Sequence, residues 1–311
     1  DGYTVQSTER KLTVTKPNLS NAEITFPDGN VAAFNYATAT GVPEFIVKYN
    51  GNTLKKDVDF TIASGGSTYD VGPCTLTIKA TDTGDYTGSK SAQWNVRPLK
   101  IAASVGDIIK TYDGTADLPA NAKITFKSAD SYYAGVPLSL AKGTDYEVLD
   151  ARYDSADAST EEKTVSFTIK LKNAGYVFED GTTQKDFTLN GAELNDKSFK
   201  INPATVTPAE ITLFVYNDVA KTYTLNLATR LPELTAPCDY GKIQYRGCDY
   251  HFTDSTYLDS NNYISVSNEG VLTLPIVAVH SADVNKQIGK ITAPVVTANY
   301  QQFELTIKVV I

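Results

Sequence analysis

One unit recurs three times along the chain: an extended run, a small polar turn, and a tyrosine. It reads Thr75-Leu-Thr-Ile-Lys-Ala-Thr-Asp-Thr-Gly-Asp-Tyr86, then Val165-Ser-Phe-Thr-Ile-Lys-Leu-Lys-Asn-Ala-Gly-Tyr176, then Ile291-Thr-Ala-Pro-Val-Val-Thr-Ala-Asn-Tyr300. Apolar and polar residues alternate in the first two copies (Leu76, Ile78, Ala80; Val165, Phe167, Ile169, Leu171), which is the period of a half-buried strand. The third copy is looser. A Tyr after such a turn can bury its ring while its hydroxyl bonds back to the backbone. A chain that repeats this unit is not built on one core, and 311 residues suit two or three domains of about 100 residues each.

Punctuation agrees with the repeat. Leu12-Thr-Val-Thr-Lys-Pro17, Trp94-Asn-Val-Arg-Pro98 and Phe199-Lys-Ile-Asn-Pro203 are alternating runs that end in Pro. Pro cannot donate to a ladder and holds the preceding residue extended, so it can close one module's last strand and stiffen the step to the next. This predicts an N-terminal strand or tail of a preceding module over 1–16 and modules over 17–99, 100–203 and 204–311. Phe303 to Ile311 would be the last closing strand. With 19 Tyr, many Thr and Val, and no convincing 3.6-residue periodicity, the chain reads as all-β. Asp82-x-Gly84-x-Tyr86 resembles the tyrosine corner of immunoglobulin-like sandwiches. The expected architecture is therefore three tandem immunoglobulin-like β-sandwich modules in an elongated array.

Longer patterns carry a second resemblance. Asn50-Gly-Asn-Thr-Leu-Lys-Lys-Asp-Val-Asp-Phe-Thr-Ile62, followed by Val71-Gly-Pro-Cys-Thr-Leu-Thr-Ile78 and Gly84-Asp-Tyr-Thr-Gly88, resembles the tandem surface repeats of Gram-positive gut bacteria. Lys110-Thr-Tyr-Asp-Gly-Thr115, Gly143-Thr-Asp-Tyr146 and Phe178-Glu-Asp-Gly181 resemble the YDG repeats of bacterial adhesin-like proteins, and Lys221-Thr-Tyr-Thr-Leu-Asn-Leu227 is similar to a module that often follows them. The resemblance covers most of residues 18–311. It implies an extracellular, cell-surface sandwich array and brings no catalytic residues. Within the chain, Leu54–Ile62 matches Leu140–Val148, with Asp59-Phe60 on Asp145-Tyr146: a short acid to bond the turn amides and an aromatic to fill the core.

Charge and motifs narrow the function classes. A formal charge of −8 argues against nucleic acid or an anionic membrane, because phosphate binding needs clustered Lys and Arg. The chain has no Met, no signal peptide and no apolar run of about 18 residues, which predicts a piece of a longer mature protein, monomeric within it and not inserted in a membrane. His251 and His280 are the only histidines, and no HExxH, CxxC or GxSxG spacing accompanies them, so no enzyme, cofactor or metal is expected. The acid-rich stretch Asp150–Glu162 reads as a solvated loop; its rival is a Ca²⁺ site, which needs about six to eight oxygens. Self-formed Lys–Asn cross-links occur in some bacterial surface sandwiches, and the sequence does not pair partners for one.

Exposed aromatic faces bind sugar rings and protein hot spots, whereas strand cores use Tyr as well. Alternation favours core for Tyr245, Tyr250 and Phe252, which leaves Tyr240, Tyr257 and Tyr263 as a candidate binding surface. Tyr132 and Tyr133 are adjacent and cannot share one strand face, so one of them is expected outside. Tyr86, Tyr176, Tyr300 and Trp94 read as structural, with Trp94 buried against Leu76 or Ile78. Cys74 reads as a buried thiol. Cys238 and Cys248 are either a disulfide or two separate thiols: a bridge needs Cα atoms within about 7 Å, and ten residues of straight strand span roughly 33 Å, so the bridge requires the chain to fold back. The leading functional reading is a stalk or display segment. Its rivals are a module that grips a host glycan, mucin or immunoglobulin, and the accessory domain of a secreted glycosidase.

Overall fold

The structure, a computed structural model, describes residues 3, 13–27, 29, 31–34, 42–65, 70–131, 133–259, 261–277 and 284–311. Their regular structure is all-β, in three tandem sandwich-like domains, with only short 3₁₀ turns between strands. The first sandwich contains β1 (Glu23–Thr25), β2 (Val31–Ala33), β3 (Ile46–Tyr49), β4 (Asn52–Thr53), β5 (Phe60–Ser64), β6 (Gly72–Ala80) and β7 (Ser89–Arg97). The second contains β8 (Leu99–Val105), β9 (Ile108–Thr111), β10 (Ile124–Ser128), β11 (Pro137–Leu138), β12 (Tyr146–Tyr153), β13 (Thr164–Leu171), β14 (Tyr176–Phe178), β15 (Gln184–Asn190) and β16 (Phe199–Asn202). The third contains β17 (Ile211–Phe214), β18 (Lys221–Asn226), β19 (Ile243–Tyr245), β20 (Asp249–Phe252), β21 (Ser265–Val266), β22 (Val271–Ile276), β23 (Gln287–Thr297) and β24 (Phe303–Val310).

Two compact units divide the chain: residues 1–103, 125–147 and 170–185 form one, and residues 104–124, 148–169 and 186–311 form the other. In the first unit the sheets β1-β3-β4 and β2-β7-β6-β5 enclose Leu19, Val47, Phe60, Leu76, Ile78 and Trp94, and the sheet β11-β10-β8-β14 follows. In the second unit β9 pairs with β16, and the sheets β17-β24-β23-β19 and β18-β22-β21 cover a core of alternating residues such as Ile291, Ala293, Val295, Leu305 and Ile307. β20 continues along β23 beyond β19. The sheet β12-β13-β15 contributes residues to both units.

Local chemistry explains several elements. Asn50 and Gly51, with φ of 47° and 79°, make the tight turn that joins β3 to β4. Asp59 Oδ2 accepts from the Lys55 amide at 2.7 Å, and Asp145 Oδ2 accepts from the Ala141 amide at 2.8 Å. Beside them Phe60 and Tyr146 are buried. The matched pair Asp59-Phe60 and Asp145-Tyr146 is thus one turn built twice.

Candidate functional site

The recurrent tyrosines and the prolines, separate signals in the sequence, meet in space. In each sandwich the residue after the proline makes a parallel pairing with the tyrosine corner: Asn18 with Thr87, Leu99 with Tyr176, and Ala204 with Tyr300. The Leu99 amide donates to Gly175 O at 2.8 Å, and the Ala204 amide donates to Asn299 O at 3.0 Å. Because Pro offers no N–H, β7 stops at Arg97 before Pro98 and β16 stops at Asn202 before Pro203, and pairing resumes one residue later; residues 13–17, expected as the end of a strand, form no ladder before Pro17.

A second regularity points the other way along the chain. An early short strand of every sandwich runs parallel to its last strand: β2 with β7, β9 with β16, and β17 with β24. The residue that follows β2 is Phe34, whose amide donates to Arg97 O at 2.7 Å, and the one that follows β9 is Tyr112, whose amide donates to Asn202 O at 2.8 Å. Each of these aromatics meets the corner tyrosine of the next sandwich edge-on. Phe34 and Tyr176 have ring centroids 5.4 Å apart at 84°, and Tyr112 and Tyr300 have theirs 5.6 Å apart at 75°. Edge-to-face pairs of this kind contribute about 0.5–1.5 kcal/mol beyond their buried area.

The first joint, inside the first unit, adds charge. Arg97 Nη2 lies 2.6 Å from Asp130 Oδ2, and Asp130 is only 2% exposed. Gly175 is needed because a Cβ there would fall within 2.7 Å of Phe34 Cζ and closer still to other atoms of the ring.

The second joint, inside the second unit, is built on Tyr112-Asp113-Gly114. Asp113 Oδ1 accepts from the Thr115 amide at 2.9 Å and from Lys110 Nζ at 2.7 Å, which fixes the turn. Gly114, at φ 79°, lets the turn approach the backbone of Pro237 and Cys238, where a Cβ would come within 2.7 Å of both. The Tyr112 hydroxyl accepts from the Asp239 amide at 3.1 Å. Asn299 is fully buried: its Oδ1 accepts from the Ala158 amide at 3.0 Å, and its Nδ2 donates to Asp239 Oδ1 at 3.0 Å and Asp157 Oδ1 at 3.4 Å. Burial, reinforced by a bond to Cys238, pushes the Tyr300 phenol up to about 12, and burial raises Tyr112 as well. Both rings therefore stay neutral across the physiological range.

The residues singled out in the sequence fall in different places. Tyr240 belongs to the second joint, its ring 5.3 Å from that of Tyr300 and its hydroxyl donating to Pro232 O at 2.8 Å. Tyr257 is 9% exposed and packs in the third core, so its ring face is not presented to a ligand and the candidate surface loses it. Tyr263 is 77% exposed. Tyr250, expected in the core, is 45% exposed because it lies on the outer strand β20. Tyr133 is half-buried, while Tyr132 lies outside the described residues. Tyr86 packs against Tyr49 at 5.5 Å, and Trp94 is fully buried in the core that holds Leu76 and Ile78.

The disulfide alternative is corrected: Cys238 and Cys248 are not bridged, and Cys74 is a buried thiol. The segment between Cys238 and Cys248 does not fold back. It runs along β23, with Tyr245 opposite Val295 and Asp249 opposite Thr292, and Gly247 at φ 69° accommodates one extra residue as a bulge. That extension holds the two sulfurs far apart. Burial pushes the Cys248 thiol up, which keeps it protonated.

The acid-rich loop is already engaged. Glu162 accepts from the Phe199 amide at 2.7 Å and pairs with Lys200 at 2.9 Å, Lys200 holding it below the usual carboxylate range; Asp154 faces Lys163, and Asp157 serves Asn299. No group of His, Cys, Asp and Glu able to hold a metal occurs among the described residues. His251 is exposed on β20, and His280 lies outside the described residues. The buried amines Lys110 and Lys163 face Asp113 and Thr115, and Ser155 and Asp154, respectively.

No family model and no curated protein matches the chain. Solved structures of tandem β-sandwich ectodomains are similar at low level. Mouse Protocadherin-24 EC1-3 shares 9% identity over 96% of this chain and 91% of that one, with a TM-score of 0.26. Zebrafish RET cadherin-like domains 1 to 4 share 9% over 85% and 64%, with a TM-score of 0.23, and the human Desmocollin-1 ectodomain shares 13% over 81% and 51%, with a TM-score of 0.24. The chain thus spans about half to two thirds of the longer of these ectodomains. At these scores the resemblance says nothing of partner or activity. No helix among the described residues is long and apolar enough to cross a membrane.

Proposed function

We propose that the chain is a non-enzymatic display segment of an adhesin-like protein on the surface of a Gram-positive bacterium, made of modules 17–99, 100–203 and 204–311. The observation that carries this reading is the joint built twice on the same plan: a one-residue proline step, a parallel pairing to the tyrosine corner, and an edge-on aromatic contact. A display segment has to set the orientation of what it presents, and flexible Gly/Ser linkers leave orientation free. A one-residue step flanked by a packed joint does not. The bacterial setting is supported by the resemblance of residues 18–311 to tandem surface repeats.

Backbone ¹⁵N relaxation tests it. Residues on the two sides of the second joint, such as Ile108 and Leu305, should report the same rotational correlation time, and Tyr112→Ala should separate the two values. Equal values in both proteins, or different values in the wild type, would overturn the rigid-joint reading. The exposure of Tyr263 favours a second reading, a module that binds a host glycan or glycoprotein. Saturable binding on a glycan array that Tyr263→Ala abolishes would establish that reading in place of passive display.

A further inference from the structure

The third sandwich repeats the parallel ladder of the joint's outgoing half, and among the described residues no corner tyrosine packs on its end. β17 runs parallel to β24 as β9 runs parallel to β16, and the Val215 amide donates to Val310 O as the Tyr112 amide donates to Asn202 O. The turn that follows is Tyr216-Asn217-Asp218, with Asp218 at φ 57°, where the second sandwich has Tyr112-Asp113-Gly114, with Gly114 at φ 79°. The tyrosine lies one residue further on relative to the ladder, and the left-handed position again comes two residues after it. In the second sandwich that tyrosine is covered and 6% exposed; in the third, Tyr216 is 65% exposed, beside Phe214 at 68% and Val219 at 45%.

Two further details fit a joint half. The Tyr216 amide donates to the Tyr223 hydroxyl at 2.7 Å, and Lys221 Nζ lies 5.4 Å from the Tyr216 ring centre, so the ring is held at the end of the sandwich. Asn217 Oδ1 is enclosed and has no donor among the described residues, whereas its counterpart Asp113 Oδ1 has three. Asp218 departs from the pattern: its side chain keeps a partner backbone from approaching as closely as Pro237 and Cys238 approach Gly114.

We propose that Phe214, Tyr216 and Val219 form an open half-joint whose occupant is a further β-sandwich module joined in the same polypeptide, presenting its own corner tyrosine edge-on to Tyr216. The inference rests on the display reading above and extends it to the partner. Carbohydrate is the less fitting occupant, because Lys221 already covers part of the Tyr216 ring and the two filled counterparts of this turn both seat a tyrosine corner.

The test appends a second copy of residues 98–311 directly after Ile311 of the full chain and places an indole by Tyr216→Trp in the first copy only. The appended corner, at the place of Tyr176, should shift the indole emission to the blue and remove most of its quenching by acrylamide, and Tyr176→Ser in the appended copy should restore both. Phe214→Trp gives an independent reporter if the first variant folds poorly. Unchanged quenching in the extended chain with either reporter overturns the proposal. So does shielding in the unextended chain that grows with its concentration, which would make the partner a second copy, or shielding by free glycans. Failure here leaves the joint reading to be judged separately, since the relaxation test uses the unextended chain.

Discussion

Gly175→Ala isolates the aromatic joint from every other term. The glycine's backbone lies outside the left-handed region, so a methyl group adds no torsional strain, and the three atoms it would meet first all belong to the Phe34 ring. Overpacking of this kind costs about 1–3 kcal/mol. Loss of glycine entropy from the unfolded chain returns about 0.4–1 kcal/mol, which leaves a net loss of about 1–2 kcal/mol. The Phe34 ring can yield by swinging away, but it then leaves the edge of Tyr176. Phe34→Ala removes the obstacle, so in its background the same alanine should be neutral or slightly stabilising.

The assay is a double-mutant cycle by urea unfolding of the full chain, followed by Trp94, which is fully buried in the first sandwich. The glycine-entropy gain is common to both backgrounds and cancels, so the expected coupling between residues 34 and 175 is the overpacking cost alone, about 1–3 kcal/mol. Additivity within about 0.5 kcal/mol would refute the argument, because it would mean that the ring and the glycine do not share the space assigned to them.

Four other outcomes follow from the same geometry. Asn299→Leu leaves the half-buried Ala158 amide without its acceptor and removes the bonds to the exposed carboxylates of Asp157 and Asp239, so calorimetry of the second unit should show a loss of about 1–3 kcal/mol; a loss under about 0.5 kcal/mol would contradict that placement. Tyr153 donates to Ile108 O at 2.8 Å, and burial pushes its phenol up to about 12, as in Tyr300. Since the folded value lies above the unfolded value of about 10, stability is intact below pH ~10 and is lost as pH rises toward 12. Phenolate absorbance of these two rings should appear only with unfolding, and their titration near pH 10 in the folded chain would refute the burial argument. Thiol titration under denaturing, non-reducing conditions should find three thiols per chain, and finding one would restore the disulfide. Adding Ca²⁺ should leave the melting temperature unchanged, because Asp154, Asp157 and Glu162 already hold protein partners; a rise of several degrees would reopen the loop as a metal site.

Much of the fold is written in periodicity, and the joints are not. Alternation in 75–80, 165–171 and 303–311 identifies strands because each buries one face, and Asn50-Gly51 marks its hairpin because both residues accept positive φ. Tyr257 and Tyr250 exchanged their expected places for a reason that local pattern does not carry: β20 lies on the outside of its sheet, while Tyr257 sits on a 3₁₀ turn that folds over the core. The disulfide alternative failed likewise, since a glycine with positive φ serves a bulge as readily as a reversal. Phe34 shows no local signal, and Asn299, though it stands in the polar turn before Tyr300, shows none of its bonding role. Tyr176 and Ala158, their partners across the joints, lie more than a hundred residues away, and only the repeated spacing of Pro and Tyr could have pointed to them.

The two joints share a plan but not a chemistry. The first relies on an ion pair whose carboxylate is buried and whose guanidinium reaches the surface. The second has neutral rings and an amide that holds two acids in place, and its contacts depend on direction more than on charge. In both, the last strand is paired in parallel with an early strand of its own sandwich, and the residue after the proline pairs in parallel at the next recurrent tyrosine, as the start of β8 in the first joint and as a single bridge at Ala204 in the second. The aromatic contact sits beside the proline step, where a hinge would otherwise form, and on the proposed display reading this is where packing is needed to hold an orientation.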